Sequence, residues 1–250
     1  MSSKPEDRRD GRNGRDRRDN RERLAAERAA QRRKEQRNRL LVRGGLGLAG
    51  LALAGGVTAV IVTEHGSTPT ASSAGIPTQP RTTAEGRNTT PPWTAPAGAD
   101  VTAAVKAAGL PMLTAEGTVE HIHAHLDVYV DGKAVAVPGL IGIDEPGQQI
   151  SPVHTHDTSG IIHIESPVKA DFSLGQFMTE WQVSLSATHL GGLGTDATHT
   201  LTAYVNGKPV GGDPAAITLG AHDEIALVYG TAGENAQTPA PSSYNFPSGL

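Results

Sequence analysis

The stretch His121-Ile122-His123-Ala124-His125-Leu126-Asp127-Val128-Tyr129-Val130 decides how this chain is read. Ile122, Ala124, Leu126, Val128 and Val130 fall on one face, and His121, His123, His125, Asp127 and Tyr129 on the other. That alternation is the period of a half-buried β-strand. It places three imidazoles on one side of a sheet. Asp131-Gly132 follows, a two-residue hairpin signal, and Lys133 to Val137 supplies the returning strand.

Two further segments carry the same chemistry: His154-Thr155-His156-Asp157 and His163-Ile164-Glu165. Six of the 10 histidines fall between His121 and Glu165. Alternate side chains on a strand lie about 7 Å apart on one face, so a His-x-His pair can converge on one ion. Zinc–imidazole bonds of about 2.0–2.1 Å suit such a pair. Three in a row span about 13 Å, so His121 and His125 do not reach one ion unaided. The expected site takes two of His121, His123 and His125 with one or two of His154, His156 and His163. The remaining histidine supports a ligand or serves a second ion. Any one of these residues is more simply read as a surface or hydrogen-bonded core histidine; six so closely spaced are not. Asp157 and Glu165 are expected as acceptors that orient ligand imidazoles. In a catalytic site Glu165 is the candidate general base. His189, His199 and His222 stand in or beside turns and read as structural.

The chain contains no cysteine, which excludes disulfides, thiolate zinc sites, Fe–S clusters and cysteine nucleophiles. A metal here is held by nitrogen and oxygen. Imidazole suits zinc and copper alike, so the metal is left between them.

The remainder of the chain is uneven. Sixteen of the 22 basic and eight of the 26 acidic residues precede Gly44, a net +8 against −12 for the rest. Residues 1–43 read as an Arg-rich cytoplasmic segment; the interspersed acids and missing aromatics favour a topology signal over nucleic-acid binding. Residues 44–63 lack charge and match the roughly 20 residues that a bilayer span requires. The positive-inside rule puts the N-terminus in the cytoplasm and the rest outside the cell, in a single-pass membrane protein. A cleaved signal peptide is the rival, and Ala52-Leu53-Ala54 resembles a cleavage box, but it lies inside the apolar run. Residues 64–98, rich in Pro, Thr and Ser, read as a linker that holds too little apolar surface to order itself. Residues 99–230 form the expected folded domain, and residues 231–250 a tail whose Tyr244 and Phe246 can pack back on it.

Within that domain the expected elements are a helix from Asp100 to Ala108 and strands over Val119–Val130, Leu140–Ile143 and Gly160–Glu165. A helix capped by Ser173 follows, then strands over Val183–Thr188, Thr198–Val205 and Glu224–Tyr229, with a second hairpin at Asn206-Gly207. The expected fold is mainly β, a small antiparallel sandwich or barrel with one or two short helices.

The run from His154 to Glu165, with Ser173-Leu-Gly-Gln-Phe177 after it, resembles a motif of exported, membrane-anchored bacterial and archaeal histidine-rich β-domain proteins. The resemblance covers about Gly117 to Trp181 and implies a shared metal-site scaffold without a known activity. No His-Glu-x-x-His, Gly-x-Ser-x-Gly or phosphate-binding loop is present. Three classes of function follow: a tethered extracytoplasmic metal-binding domain, a metalloenzyme, or a metal-free pH-sensing or interaction module.

Overall fold

The structure, a computed structural model, describes residues 75–250. The expected cytoplasmic segment, the membrane anchor and the first part of the linker lie outside the described residues. Among the described residues no helix is long and apolar enough to cross a membrane.

The domain is mainly β with three helices. Its centre is β1, Glu120–Val130, the quoted stretch. Asp131 and Gly132 both take positive φ, 51° and 73°, and turn β1 into β2, Lys133–Val135. Asn206 and Gly207 repeat the device, at φ 53° and 73°, between β10, His199–Val205, and β11, Lys208–Val210. Both are the left-handed pairs that match the twist of a two-residue hairpin.

Between these hairpins lie β3 (Ile143–Asp144), β4 (Gln149–Ile150), β5 (Val153–His154) and β6 (Ile161–Ser166). Short strands β7 (Leu185–Ser186), β8 (His189–Leu190) and β9 (Leu193–Gly194) make a separate small sheet. The last strand is β12, Glu224–Thr231. The main sheet has seven strands in the order β11-β10-β12-β1-β6-β5, with β2 also on β1. It is open and mixed, with β11 and β5 at its edges, and is not closed into a barrel. The antiparallel arrangement expected from the two hairpins fails at one place: β1 and β12 run parallel, His125 opposite Glu224 and Val130 opposite Tyr229. Parallel neighbours need a long crossover, so no local turn signal announces them.

Helix α1, Ala99–Ala107, packs on α2, Leu174–Glu180. Ser173 caps α2 by accepting from the Gln176 N–H, and the Gln176 side chain returns to the Ser173 N–H. That reciprocal pair satisfies two backbone donors that a helix start leaves open. Phe177, Met178 and Trp181 of this segment join Ala124, Leu126, Val128, Ile162 and Ile164 in one core. The apolar face of β1 and β6 is thus inside, as its alternation requires. The opposite face is covered as well: all six residues of β6 are buried, and His123 and His125 are each 4% exposed. The expected half-buried strand is therefore buried on both sides along its middle, His123 to Leu126, while His121 is exposed and Asp127 and Tyr129 are half-buried.

Part of that cover is the C-terminal segment. Helix α3, Ala232–Ala236, follows β12, and Tyr244 then stacks on His125 with ring centroids 3.7 Å apart. Phe246 lies over His222.

Residues 75–98, within the expected linker, run as a strap along the domain. Ala84 bridges to Leu185 and Arg87 to Val183. Trp93 packs edge-on against Trp181 at 5.9 Å and donates its indole N–H to the Thr89 carbonyl. The strap has no core of its own. It is ordered by lending backbone hydrogen bonds and one large aromatic to a core built elsewhere.

Candidate metal centre

The sheet register assembles the site. Antiparallel pairing of β1 with β6 sets His123 opposite His163 and His121 opposite Glu165. Pairing of β5 with β6 sets His154 opposite His163. One row across three strands therefore reads His123, His163, His154, with side chains on a common face at cross-strand spacing. His156, two residues past β5, leans over this row. Its ring centroid is 4.8 Å from that of His154 and 4.5 Å from that of His163.

Two local devices fix the imidazoles. His154 donates Nδ1–H to the Ser151 carbonyl at 2.9 Å, and His163 donates Nδ1–H to Glu165 Oε1 at 3.1 Å. Each bond selects the tautomer that leaves Nε2 to coordinate, and the carboxylate raises the basicity of its ring. The Nε2 atoms of His154 and His156 stand 3.1 Å apart. A tetrahedral zinc site with bonds near 2.05 Å has ligand separations of about 3.3 Å. One ligand atom from each of His154, His156, His163 and Glu165 lies within 4.8 Å of all the others. His121, His123 and Glu165 meet the same test.

Glu165 is the hub. Its Oε1 lies 3.1 Å from His163 Nδ1, 3.5 Å from His121 Nε2 and 3.9 Å from His123 Nε2. Burial opposes its ionisation, yet the imidazoles of His123 and His163 outweigh that and hold the carboxyl well below the usual range. Burial does the reverse to the bases. It drives His154 far below the ordinary histidine value, helped by His156, and lowers His156 to about 4. Both rings are therefore neutral at pH 7, the state in which imidazole ligates. His123 Nε2 and Glu165 Oε2 are buried with no hydrogen-bond partner. Unsatisfied buried polar atoms are uncommon and ask for a reason. A cation among these side chains supplies one.

The other residues singled out in the sequence fall elsewhere. His121 has a side chain 47% exposed at the edge of the cluster. Beside it a cavity of about 430 Å³ is lined by His121, His123, Ala221 and His222, among others. Asp157 is exposed and accepts the Ser159 N–H, so it starts a turn and does not hold a ring. His189 bonds Ser186, and His199 bonds Asp196 and stacks on Tyr229. His222 stacks on Phe246 at the cavity wall.

His125 is separated from the cluster. Its Nε2 donates to the Ser159 carbonyl at 2.9 Å and its Nδ1 meets Glu224 Oε2 at 2.8 Å. Burial works against a charged ring, but the hydrogen bond and charge of Glu224 overcome it and raise His125 above its ordinary value. Burial raises Glu224 in turn.

Ser151, Ser159 and Glu224 escape sequence reasoning, and Tyr244, expected to pack back on the domain, does so on His125. A serine carbonyl carries no side-chain signal, and Glu224 gains meaning only from the parallel pairing.

Comparison of the chain with protein-family models, curated proteins and solved structures finds no match. The class that fold and site define is a mainly β domain with buried histidine and glutamate groups able to hold a metal.

Proposed function

We propose that this protein is a membrane-tethered, extracytoplasmic domain that binds a divalent transition metal, zinc or copper, through the histidine cluster on its main sheet. His154, His156 and His163 are the ligands, with His123 as the fourth or adjacent donor. Glu165 orients His163. The observation that carries the reading is the pair of Nε2 atoms of His154 and His156 at 3.1 Å, beside a third imidazole turned by Glu165. The tether and the extracytoplasmic location rest on the Arg asymmetry around the uncharged run of residues 44–63. A metalloenzyme is the second reading, favoured by the cavity against His121 and His123, where a small substrate can approach the ion. Glu165 is then the candidate base.

Metal analysis of the full-length protein purified from membranes tests the central claim. About one equivalent of zinc or copper is expected at the cluster, lost on the double change His154→Ala with His156→Ala. Protein that carries no metal and takes up neither ion by calorimetry overturns it.

A further inference from the structure

We infer that His125, Asp127 and Glu224 form a second, carboxylate-rich divalent cation site, separate from the histidine cluster. His125 and Asp127 are alternate residues of β1, and Glu224 is the residue opposite His125 on the parallel strand β12. His125 Nδ1 lies 2.8 Å from Glu224 Oε2 and 4.0 Å from Asp127 Oδ2. The three donors all fall within 4.8 Å of one another.

Three features make this more than an acidic cluster. First, the Ser159 carbonyl accepts from His125 Nε2, which leaves Nδ1 as the atom to coordinate, aimed at both carboxylates. That acceptor is held close by Gly160 at φ +84°, where an added Cβ would stand 2.7 Å from the Leu126 carbonyl oxygen and 2.9 Å from His125 Nε2. Second, Glu224 is 1% exposed, and its Oε1 has no hydrogen-bond partner. Third, Asp127 and Glu224 bring two carboxyl groups to one buried imidazole, so three donors converge on a space that one divalent cation can share.

The donor set differs from that of the cluster. One imidazole with two carboxylates suits manganese and similar oxygen-preferring cations, whereas an imidazole-only set suits zinc and copper. Asp127 is 31% exposed in its side chain, and Tyr244 closes the site by stacking on His125. The two sites share β1 but no ligand.

Manganese(II) alone is the probe, added to full-length protein in detergent and followed by electron paramagnetic resonance. The background is His154→Ala with His156→Ala, which removes two of the three imidazoles assigned to the histidine cluster. One equivalent of manganese is expected to bind there, with electron spin echo modulation from a single imidazole nitrogen. Adding Asp127→Asn, the least buried of the three positions, should weaken binding by at least about tenfold, since changes one shell further out already cost 10- to 100-fold. Circular dichroism checks that the triple variant is folded; should it unfold, the single-nitrogen signal in the double variant decides alone. No bound manganese in the double variant, a spectrum without nitrogen, or unchanged affinity after Asp127→Asn overturns the second site. The proposed function fails separately, if zinc and copper binding ignores His154 and His156.

Discussion

His123 on β1 and His163 on β6 are cross-strand partners, with ring centroids 4.6 Å apart and planes at 88°. A shift of either strand by one residue would turn its ring to the opposite face, so the register of this pair and the integrity of the site are one property. Anything that secures β1 against β6 secures the ligands.

Metal binding should therefore stabilise the fold, because only the folded sheet gathers the imidazoles. Zinc or copper at 100 times its Kd adds about 2.7 kcal/mol, a rise in Tm of roughly 5–10 °C for a domain of this size. His163→Ala should abolish the rise seen by calorimetry. His199→Ala should leave it intact, since His199 stacks on Tyr229 at a distance from the cluster.

The metal-free protein should lose stability as pH falls from about 6.5 towards 4. His154 and His156 have folded values below their unfolded one, so the unfolded chain binds more protons in that window. Glu165, also held low, extends the loss below its unfolded value near 4.5. His125 has the opposite sign: its raised value gives a contribution that is full below about 6.5 and is lost as pH rises through the folded value. Urea melts at several pH values in chelator read both limbs. An acid limb that persists unchanged in His154→Ala with His156→Ala would sink this account.

Glu180 is fully buried on α2, where burial pushes its carboxyl well above the ordinary value despite the hydrogen bond from Ser151. The folded state holds this proton more tightly than the unfolded chain does, so the contribution of Glu180 declines as pH rises through the carboxylate range. Glu180→Gln should raise Tm at pH 8 and change it little at pH 4. Glu180→Ala should destabilise at both, through lost packing and a Ser151 O–H left without its acceptor.

The strap of residues 75–98 should be part of the folding unit. Trp93→Ala removes the edge-on contact with Trp181 and should cost about 3 kcal/mol or more by chemical denaturation. A fragment that begins at residue 99 should melt well below one that begins at residue 75. Equal melting temperatures would return the strap to the status of a linker.

Protease added to intact cells should remove the histidine domain and spare the Arg-rich segment of residues 1–43. Release of the domain into the medium with a new N-terminus near Gly55 would instead support a cleaved signal peptide.

The sequence by itself determined what local chemistry controls. The period-two alternation from Ile122 to Val130 marks a strand, Asp131-Gly132 and Asn206-Gly207 mark hairpins, and Ser173 marks a helix start. Each depends on a few adjacent residues whose sterics and hydrogen bonds act within a turn or two. The same alternation put His121, His123 and His125 on one face, and spacing alone separated His125 from His121. What the tertiary structure decided is everything that depends on which strands become neighbours. The β1–β6–β5 register aligned His123, His163 and His154. The parallel β1–β12 pairing gave His125 to Glu224, and distant backbone edges received Ala84 and Arg87 of the strap. Backbone pairing is nearly blind to side-chain identity, so the choice among partners is made by burial of the whole core. That choice is a property of the assembled sheet and of no single stretch.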